Sequence, residues 1–241
     1  MRNKFSEHSG LFITATDTGV GKTLVSGAIA KIISQGGKTV GVFKPIATGC
    51  KKVKQKFVSE DAEFLQYCCC GKLPADVITP IKYKIPASPL ACEQAEKKKV
   101  DLKKIFTAYK QICRNSDFVI AEGIGGVKVP LTDGFDVLDL AKALKLPVVI
   151  VARAKLGTIN HTLLTIEAVR RRGLLLAGVV INGYDEKTKD YAEKSNAEII
   201  KKLGKVKILA VVPYDKKSSV ENKTLGGKVI NALRKVDWQK L

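Results

Sequence analysis

Short apolar runs rich in β-branched residues recur along the chain: Leu11–Ala15, Thr39–Phe43, Phe118–Ala121, Pro147–Ala152, Ala177–Ile181 and Ile208–Val212. They are continuous rather than alternating, which suits strands covered on both faces. Between them apolar residues return at helical spacing. Leu24, Val25, Ala28, Ile29, Ile32 and Ile33 form one such stripe, and Leu102, Ile105, Phe106, Tyr109 and Ile112 another. Val137–Leu144 and Leu163–Val169 repeat the pattern. Alternating strands and helices of this length predict an α/β fold with a mostly parallel sheet and helices on both faces, a three-layer α/β/α arrangement. Short connections predict one domain over residues 1–241, with loose ends at 1–9 and 237–241. Residues 50–58 and 71–100 are the least regular and suit lids or substrate loops.

The first strand runs into Thr16-Asp17-Thr18-Gly19-Val20-Gly21-Lys22-Thr23, which opens the first helix. Strand, glycine-containing turn, Lys-Thr and helix is the layout of a P-loop, as in P-loop NTPases. Backbone N–H groups at the turn face a bound anion, and the helix dipole favours negative charge there. Gly19 and Gly21 let the backbone approach oxygens that a Cβ would block. Lys22 would reach the β- and γ-phosphates and the Thr23 hydroxyl would hold Mg²⁺. One position departs from the general pattern, which has Gly where this chain has Thr16. The alternative is a glycine-rich turn with a solvated lysine.

Composition narrows the classes. With 45% hydrophobic and 27% charged residues the chain reads as soluble and globular. No apolar run approaches the ~18 residues of a membrane span, and the polar start, Met1 to Gly10, shows no signal peptide. Six cysteines, three of them consecutive (Cys68, Cys69, Cys70), have neither disulfide nor zinc spacing. They read as reduced thiols in a cytoplasmic protein. A net charge of +19 raises the question of nucleic acid, but the charge is lysine-rich and scattered, and aromatic residues are 6% of the chain. No alternation of Arg and aromatic residues marks a base-stacking platform. The excess charge therefore predicts attraction of anionic ligands and salt-sensitive, non-specific binding of polyanions, with no specific nucleic-acid partner.

In a parallel α/β sheet, ligands bind beyond the carboxyl ends of the strands, so each strand end is a candidate. The second strand ends in Lys44-Pro45-Ile46-Ala47-Thr48-Gly49; Lys44 could neutralise a transferring phosphoryl group or be one of many surface lysines. The third ends in Glu122-Gly123-Ile124-Gly125-Gly126, where Glu122 suits a Mg²⁺ ligand or a turn acid. The fourth ends in Ala152 to His161, with Thr158 as a candidate N-cap and free amides able to hold a carboxylate. His161 reads as structural. The fifth ends in Asn182-Gly183, either an amide that pairs with a base edge or a plain turn. Ser59-Glu60-Asp61-Ala62-Glu63 reads as a helix start, and spacing does not choose among Glu60, Asp61 and Glu63 as a metal ligand.

Taken in order, the P-loop, Lys44–Gly49, Ser59–Ala62, Glu122–Gly126 and Lys155–His161 resemble the dethiobiotin synthetases, from about Leu11 to Tyr214. The Lys-Pro-Ile-Ala-Thr-Gly and Lys-Leu-Gly-Thr-Ile-Asn-His segments carry most of the likeness. The resemblance implies a cytoplasmic homodimeric ligase that forms carbon–nitrogen bonds. It would join CO₂ to 7,8-diaminononanoate and close the ureido ring with ATP and Mg²⁺. A carbamate on one amine is phosphorylated, and the second amine attacks the mixed carbamic-phosphoric anhydride. By position, Thr23, Asp61 and Glu122 look like the Mg²⁺ ligands, and Gly19, Val20, Gly21, Lys22, Thr23 and Leu24 like the triphosphate loop. Gly123, Ile124 and Gly125 follow Glu122 on the nucleotide side. Lys44 looks like the catalytic lysine beside Lys22. Asn182, Gly183, Pro213 and Tyr214 look like the base and ribose site. Thr18 and Thr48 lie on the substrate side, and Gly157, Thr158, Ile159 and Asn160 look like the helix start that receives the substrate carboxylate across the dimer interface. Ala15 stands where the family usually has Gly, Leu90 where it often has His, and no clear partner tyrosine is present. Two other classes fit parts of the pattern: a partition-type ATPase switch, whose extra P-loop lysine is here replaced by Thr16-Asp17-Thr18, and a basic nucleic-acid module.

Overall fold

The computed structural model of the chain describes residues 8–71 and 73–241. Strand β1 (Gly10–Ala15) leads through the P-loop into α1 (Lys22–Gln35) and β2 (Val40–Phe43). Small elements follow: β3 (Ile46–Ala47), a hairpin of β4 (Lys51–Val53) and β5 (Lys56–Val58), α2 (Glu60–Cys69), α3 (Ala75–Ile78), β6 (Ile81–Lys82) and α4 (Pro89–Glu96). The regular alternation resumes with α5 (Leu102–Arg114) and β7 (Phe118–Gly126). A hairpin of β8 (Pro130–Thr132) and β9 (Phe135–Asp136) precedes α6 (Val137–Leu144). Then come β10 (Val148–Arg153), α7 (Thr158–Arg171), β11 (Leu176–Tyr184), α8 (Tyr191–Gly204), β12 (Ile208–Pro213) and α9 (Gly227–Leu233).

Six strands form one parallel sheet in the order β12-β11-β10-β1-β7-β2. The order reverses around β1, which places the P-loop at the crevice where such sheets take ligands. The continuous apolar runs are explained by the two cores. Along β1, Phe12 packs into one core with α5, α6 and α7 residues, while Leu11, Ile13 and Ala15 pack into the other with α1 and α2. Most strand side chains face a covered surface, so apolar residues dominate there, with Thr14 and Glu122 as buried polar exceptions. Full burial of each Leu, Ile or Val contributes about 1.5–3 kcal/mol relative to exposure.

Helix starts are set by side-chain caps. The Ser59 hydroxyl accepts the Ala62 N–H at 3.2 Å, and Asp101 accepts the Lys104 N–H at 2.8 Å. Asp136 and Asp139 form a reciprocal capping box before α6. The start of α7 differs from expectation. Gly157, not Thr158, is the N-cap, at φ 91°, in the left-handed region that favours glycine. Thr158 is the first helical residue and is buried, its hydroxyl 3.4 Å from that of Thr162.

The C-terminal residues are better anchored than expected. Residues 1–7 lie outside the described part, but the Ser9 carbonyl already accepts the Val119 N–H at 2.9 Å. Residues 237–241, expected to be loose, carry a 3-10 turn (Trp238–Lys240). Trp238 is 2% exposed and its indole N–H donates to the Leu233 carbonyl at 2.9 Å. A Trp offers enough apolar area to pin a terminus once its N–H has a partner. The irregular stretches 50–58 and 71–100 hold short elements rather than bare loops, too short to show a period in sequence.

Candidate active site

The P-loop bends from the end of β1 to Lys22, the first residue of α1. Gly21 is the N-cap at φ 86°. The Asn182 amide, from β11, donates to the Val20 carbonyl at 2.9 Å and lies flat against Gly21, where a Cβ would overlap its nitrogen. The bend is thus held from outside by a neighbouring strand. The first-turn amides of α1 are left for an anion, as helix geometry requires.

Behind the loop lies a buried polar cluster. Lys44, 2% exposed, follows β2 and places its Nζ 2.6 Å from Glu122 Oε1 and 2.9 Å from Asp61 Oδ2. It also donates to the Gly123 carbonyl at 3.2 Å. Lys22 Nζ is 3.5 Å from the same Glu122 oxygen, and the Thr23 hydroxyl donates to it at 2.9 Å. Among the three acids of the α2 start, Asp61 reaches the cluster. Glu60 pairs with Lys51 at 2.5 Å and Glu63 with Lys223 at 3.0 Å.

The electrostatics separate the two lysines. Burial and the neighbouring Lys44 ammonium lower the Lys22 pKa, against the pull of Glu122 and Asp61. Burial also acts to lower that of Lys44, but Asp61 and Glu122 outweigh it and the net direction is upward. Lys44 in turn holds the Asp61 carboxyl down to about 2, against the opposing effect of burial.

A cavity of about 680 Å³ opens over this cluster. Thr18, Gly19, Gly21, Lys22, Thr23, Leu24, Lys44, Thr48, Asp61, Ile124 and Gly125 all line it. A second cavity of about 340 Å³ shares Gly19, Gly21 and Leu24 and is bordered by Val20, Asn182, Gly183, Pro213 and Tyr214. Most of the expected residues therefore line two adjoining cavities; Glu122 and Gly123 lie beneath the first, with Glu122 fully buried, and one group falls outside. Gly157, Thr158, Ile159 and Asn160 line neither cavity; they sit behind an outward-pointing Leu156 that is 80% exposed. The first cavity is also lined by Ala47, Pro86 to Pro89, Val129 and Val220, and the second by Arg153, Ala154, Lys155, Asp215 and Ser218, none of which was singled out as a site residue from sequence. Val220 sits in the loop between β12 and α9, where no motif marks it. Arg153 ends β10, so the rule of reading strand ends could have found it.

The residues fit a Mg²⁺-bound nucleotide. Glu122 Oε2 is buried with no hydrogen-bond partner among the described residues, and a buried carboxylate oxygen is costly to leave unmatched. Thr23, which touches both Glu122 and Asp61, adds a third oxygen at the same point. No group of three or more His, Cys, Asp or Glu side chains able to hold a metal is found among the described residues. Two carboxylates and a hydroxyl suit Mg²⁺, which keeps waters and takes its remaining ligands from phosphates.

Fold and site together define a P-loop nucleotide-binding protein. The fold is shared with a plasmid partition protein from Borrelia burgdorferi bound to AMPPNP, at 15% identity and TM-score 0.62, covering 98% of this chain and 100% of that one. The septum site-determining protein MinD from Pyrococcus horikoshii, complexed with Mg-ADP, matches at 14% identity and TM-score 0.57 over 94% and 93% of the two chains. At these identities the likeness is one of fold alone. A family model described as an AAA domain matches residues 9–222. Sequence relatives are closer. The ATP-dependent dethiobiotin synthetase BioD of Thermodesulfovibrio yellowstonii is 39% identical over 213 residues, 86% of this chain and 89% of that one. Those of Endomicrobium trichonymphae and Bacillus subtilis are 40% and 38% identical, over 89% and 85% of this chain and 96% and 87% of theirs. The chain belongs to the ATP-dependent dethiobiotin synthetase family.

Proposed function

We propose that the protein joins CO₂ to 7,8-diaminononanoate and closes the ureido ring at the cost of ATP, releasing dethiobiotin, ADP and phosphate. The observation that carries this is the convergence of Lys44, Lys22, Thr23, Asp61 and Glu122 at the floor of a groove that continues from the P-loop to Thr48. No nucleophile–base pair is needed. Phosphoryl transfer between bound partners calls for positioning and charge neutralisation.

Roles follow from position. The Gly19–Leu24 amides and Lys22 hold the triphosphate. Thr23, Asp61 and Glu122 would hold Mg²⁺, whose charge would neutralise the phosphate oxygens. Lys44 touches Asp61 and Glu122 and lines the same cavity as Thr48, where it can meet both the carbamate and the transferring phosphoryl group. Thr18 and Thr48 flank the diamine, and Ile124 and Gly125 close the groove beside them. Asn182, Gly183, Pro213 and Tyr214 receive the base and ribose. Carbamate formation on one amine releases a proton; phosphorylation of the carbamate makes phosphate the leaving group; attack by the second amine closes the ring.

The helix start Gly157–Asn160 serves the partner's groove in a homodimer. That none of these four residues lines either cavity of its own chain, and that Leu156 beside them is exposed, support that reading. Ile159 and Asn160, whose amides an α-helix leaves without an internal acceptor, would take the substrate carboxylate. The cytoplasm is the proposed location: all six cysteines are free thiols, and among the described residues no helix is long and apolar enough to cross a membrane. The test is nucleotide turnover: ADP and phosphate should appear only when both diamine and bicarbonate are supplied. ATP hydrolysis indifferent to the diamine would overturn the proposal.

A further inference from the structure

Asp17 stands in the P-loop beside Thr18 and Gly19, both of which line the groove. Both its carboxylate oxygens are engaged. Oδ1 accepts the Thr18 N–H at 2.7 Å, and Oδ2 accepts from Arg153 Nη2 at 2.9 Å. Arg153 is the last residue of β10 and lies in register with Asn182 of β11. So two cross-strand neighbours grip the two ends of one bend: Arg153 through Asp17, and Asn182 through the Val20 carbonyl. The β1–β10 ladder stops just before, where the Thr16 N–H donates to the Val151 carbonyl at 3.0 Å. Beyond that point, across the arc where the usual P-loop glycine is replaced by Thr16, the Asp17–Arg153 contact is what ties the loop to β10.

The pair is too exposed to matter much for stability: the side chains of Arg153 and Asp17 are 42% and 53% exposed. Its charge matters more. A carboxylate next to a loop built to receive a polyanion is unfavourable unless a cation covers it.

We propose that Arg153 is a positioning residue for the nucleotide, acting through Asp17: it fixes the carboxylate that shapes the Thr16–Gly19 arc and cancels its charge. This rests on the reading of the groove as the ATP site. It predicts an asymmetry between the two partners. Arg153→Ala leaves the Asp17 carboxylate uncovered beside the loop residues Thr18 and Gly19 that line the groove, whereas Asp17→Asn removes the charge that needed cover.

The experiment is calorimetric titration of Mg·ATP into the full chain, with a melting temperature for each variant. Arg153→Ala should raise the Kd about tenfold, an effect that shrinks as salt is added. Adding Asp17→Asn to Arg153→Ala should recover most of that loss, Arg153→Lys should stay near wild type, and every Tm should lie within about 2 °C of wild type. Wild-type affinity in Arg153→Ala would overturn the proposal. So would a double variant as weak as Arg153→Ala, because Arg153 would then act on the nucleotide itself. A parallel fall in Tm and affinity would mean a purely structural role, which also overturns it. Wild-type protein that binds no Mg·ATP would remove the nucleotide reading, and this proposal with it.

Discussion

Lys22 and Lys44 share one Glu122 oxygen, yet their surroundings push their protons in opposite directions. Lys44 stays charged across the working range. Replacing it with Ala should cost turnover about 2 kcal/mol or more, roughly thirtyfold in kcat, if it meets developing charge. Mg·ATP should still bind, because the P-loop amides and Lys22 remain. Single-turnover kinetics beside a binding titration will separate the two effects. Lys22 should lose its proton below the ordinary lysine value of 10.5, so ATP affinity should fall on the alkaline side as Lys22 loses its charge. Lys22→Arg should abolish that limb, read as Kd against pH. On the acid side, Asp61 is depressed from 3.8 to about 2. Its charged form is favoured in the fold, so its contribution is whole above the ordinary value and is lost as pH falls toward 2. The sequence left Glu60, Asp61 and Glu63 as equals because an α-helix start presents all three within one turn. The family resemblance pointed to Asp61, and its contact with Lys44 sets it apart from the other two in space.

At the scale of elements, the site depends on how closely α1 and α2 approach. Gly27, inside α1, faces the Phe64 ring of α2, and a Cβ there would overlap it. Gly27→Ala should therefore push α2 outward and destabilise the fold by about 1–3 kcal/mol, even though Ala is the better helix former. It should also weaken Mg²⁺-dependent nucleotide binding, because α2 carries Asp61. Chemical denaturation and a metal titration read the two effects separately. The six main strands were legible in the sequence because burial on both faces leaves continuous apolar runs. Helices α1, α5, α6 and α7 were legible from their stripes. Helices α4, α8 and α9 were not read, since α4 and α9 are barely two turns long and α8 is lysine-rich with a thin apolar stripe. The Gly157 cap escaped for a different reason: both Gly and Thr suit that place in sequence, and only the backbone angle decides.

The whole molecule carries +19 net charge, which draws anionic ligands to every face and should make the KM for ATP rise with ionic strength. The groove, by contrast, is local, and one of its expected parts, Gly157–Asn160, does not line it. If Gly157–Asn160 serve a second copy, two defective chains should complement each other. Lys44→Ala lacks the catalytic lysine. Asn160→Glu puts a like charge at the carboxylate-receiving helix start. Each alone should be nearly inactive, and the two mixed and allowed to exchange should regain activity that neither has. No recovery in a mixture that demonstrably forms mixed dimers would place the helix start outside the site. The family was legible from sequence because its motifs occur in order at successive strand ends. The residues shared by the two cavities and the Arg153–Asp17 contact were not, since both depend on which strands lie side by side.

The central claim is that this groove makes a carbon–nitrogen ring from CO₂. The most direct measurement is mass spectrometry of the product formed from 7,8-diaminononanoate, ATP, Mg²⁺ and ¹³C-bicarbonate. A ureido product carrying one ¹³C, formed with one ADP per ring and lost in Lys44→Ala, is the predicted result. Unchanged diamine beside accumulating ADP would contradict it.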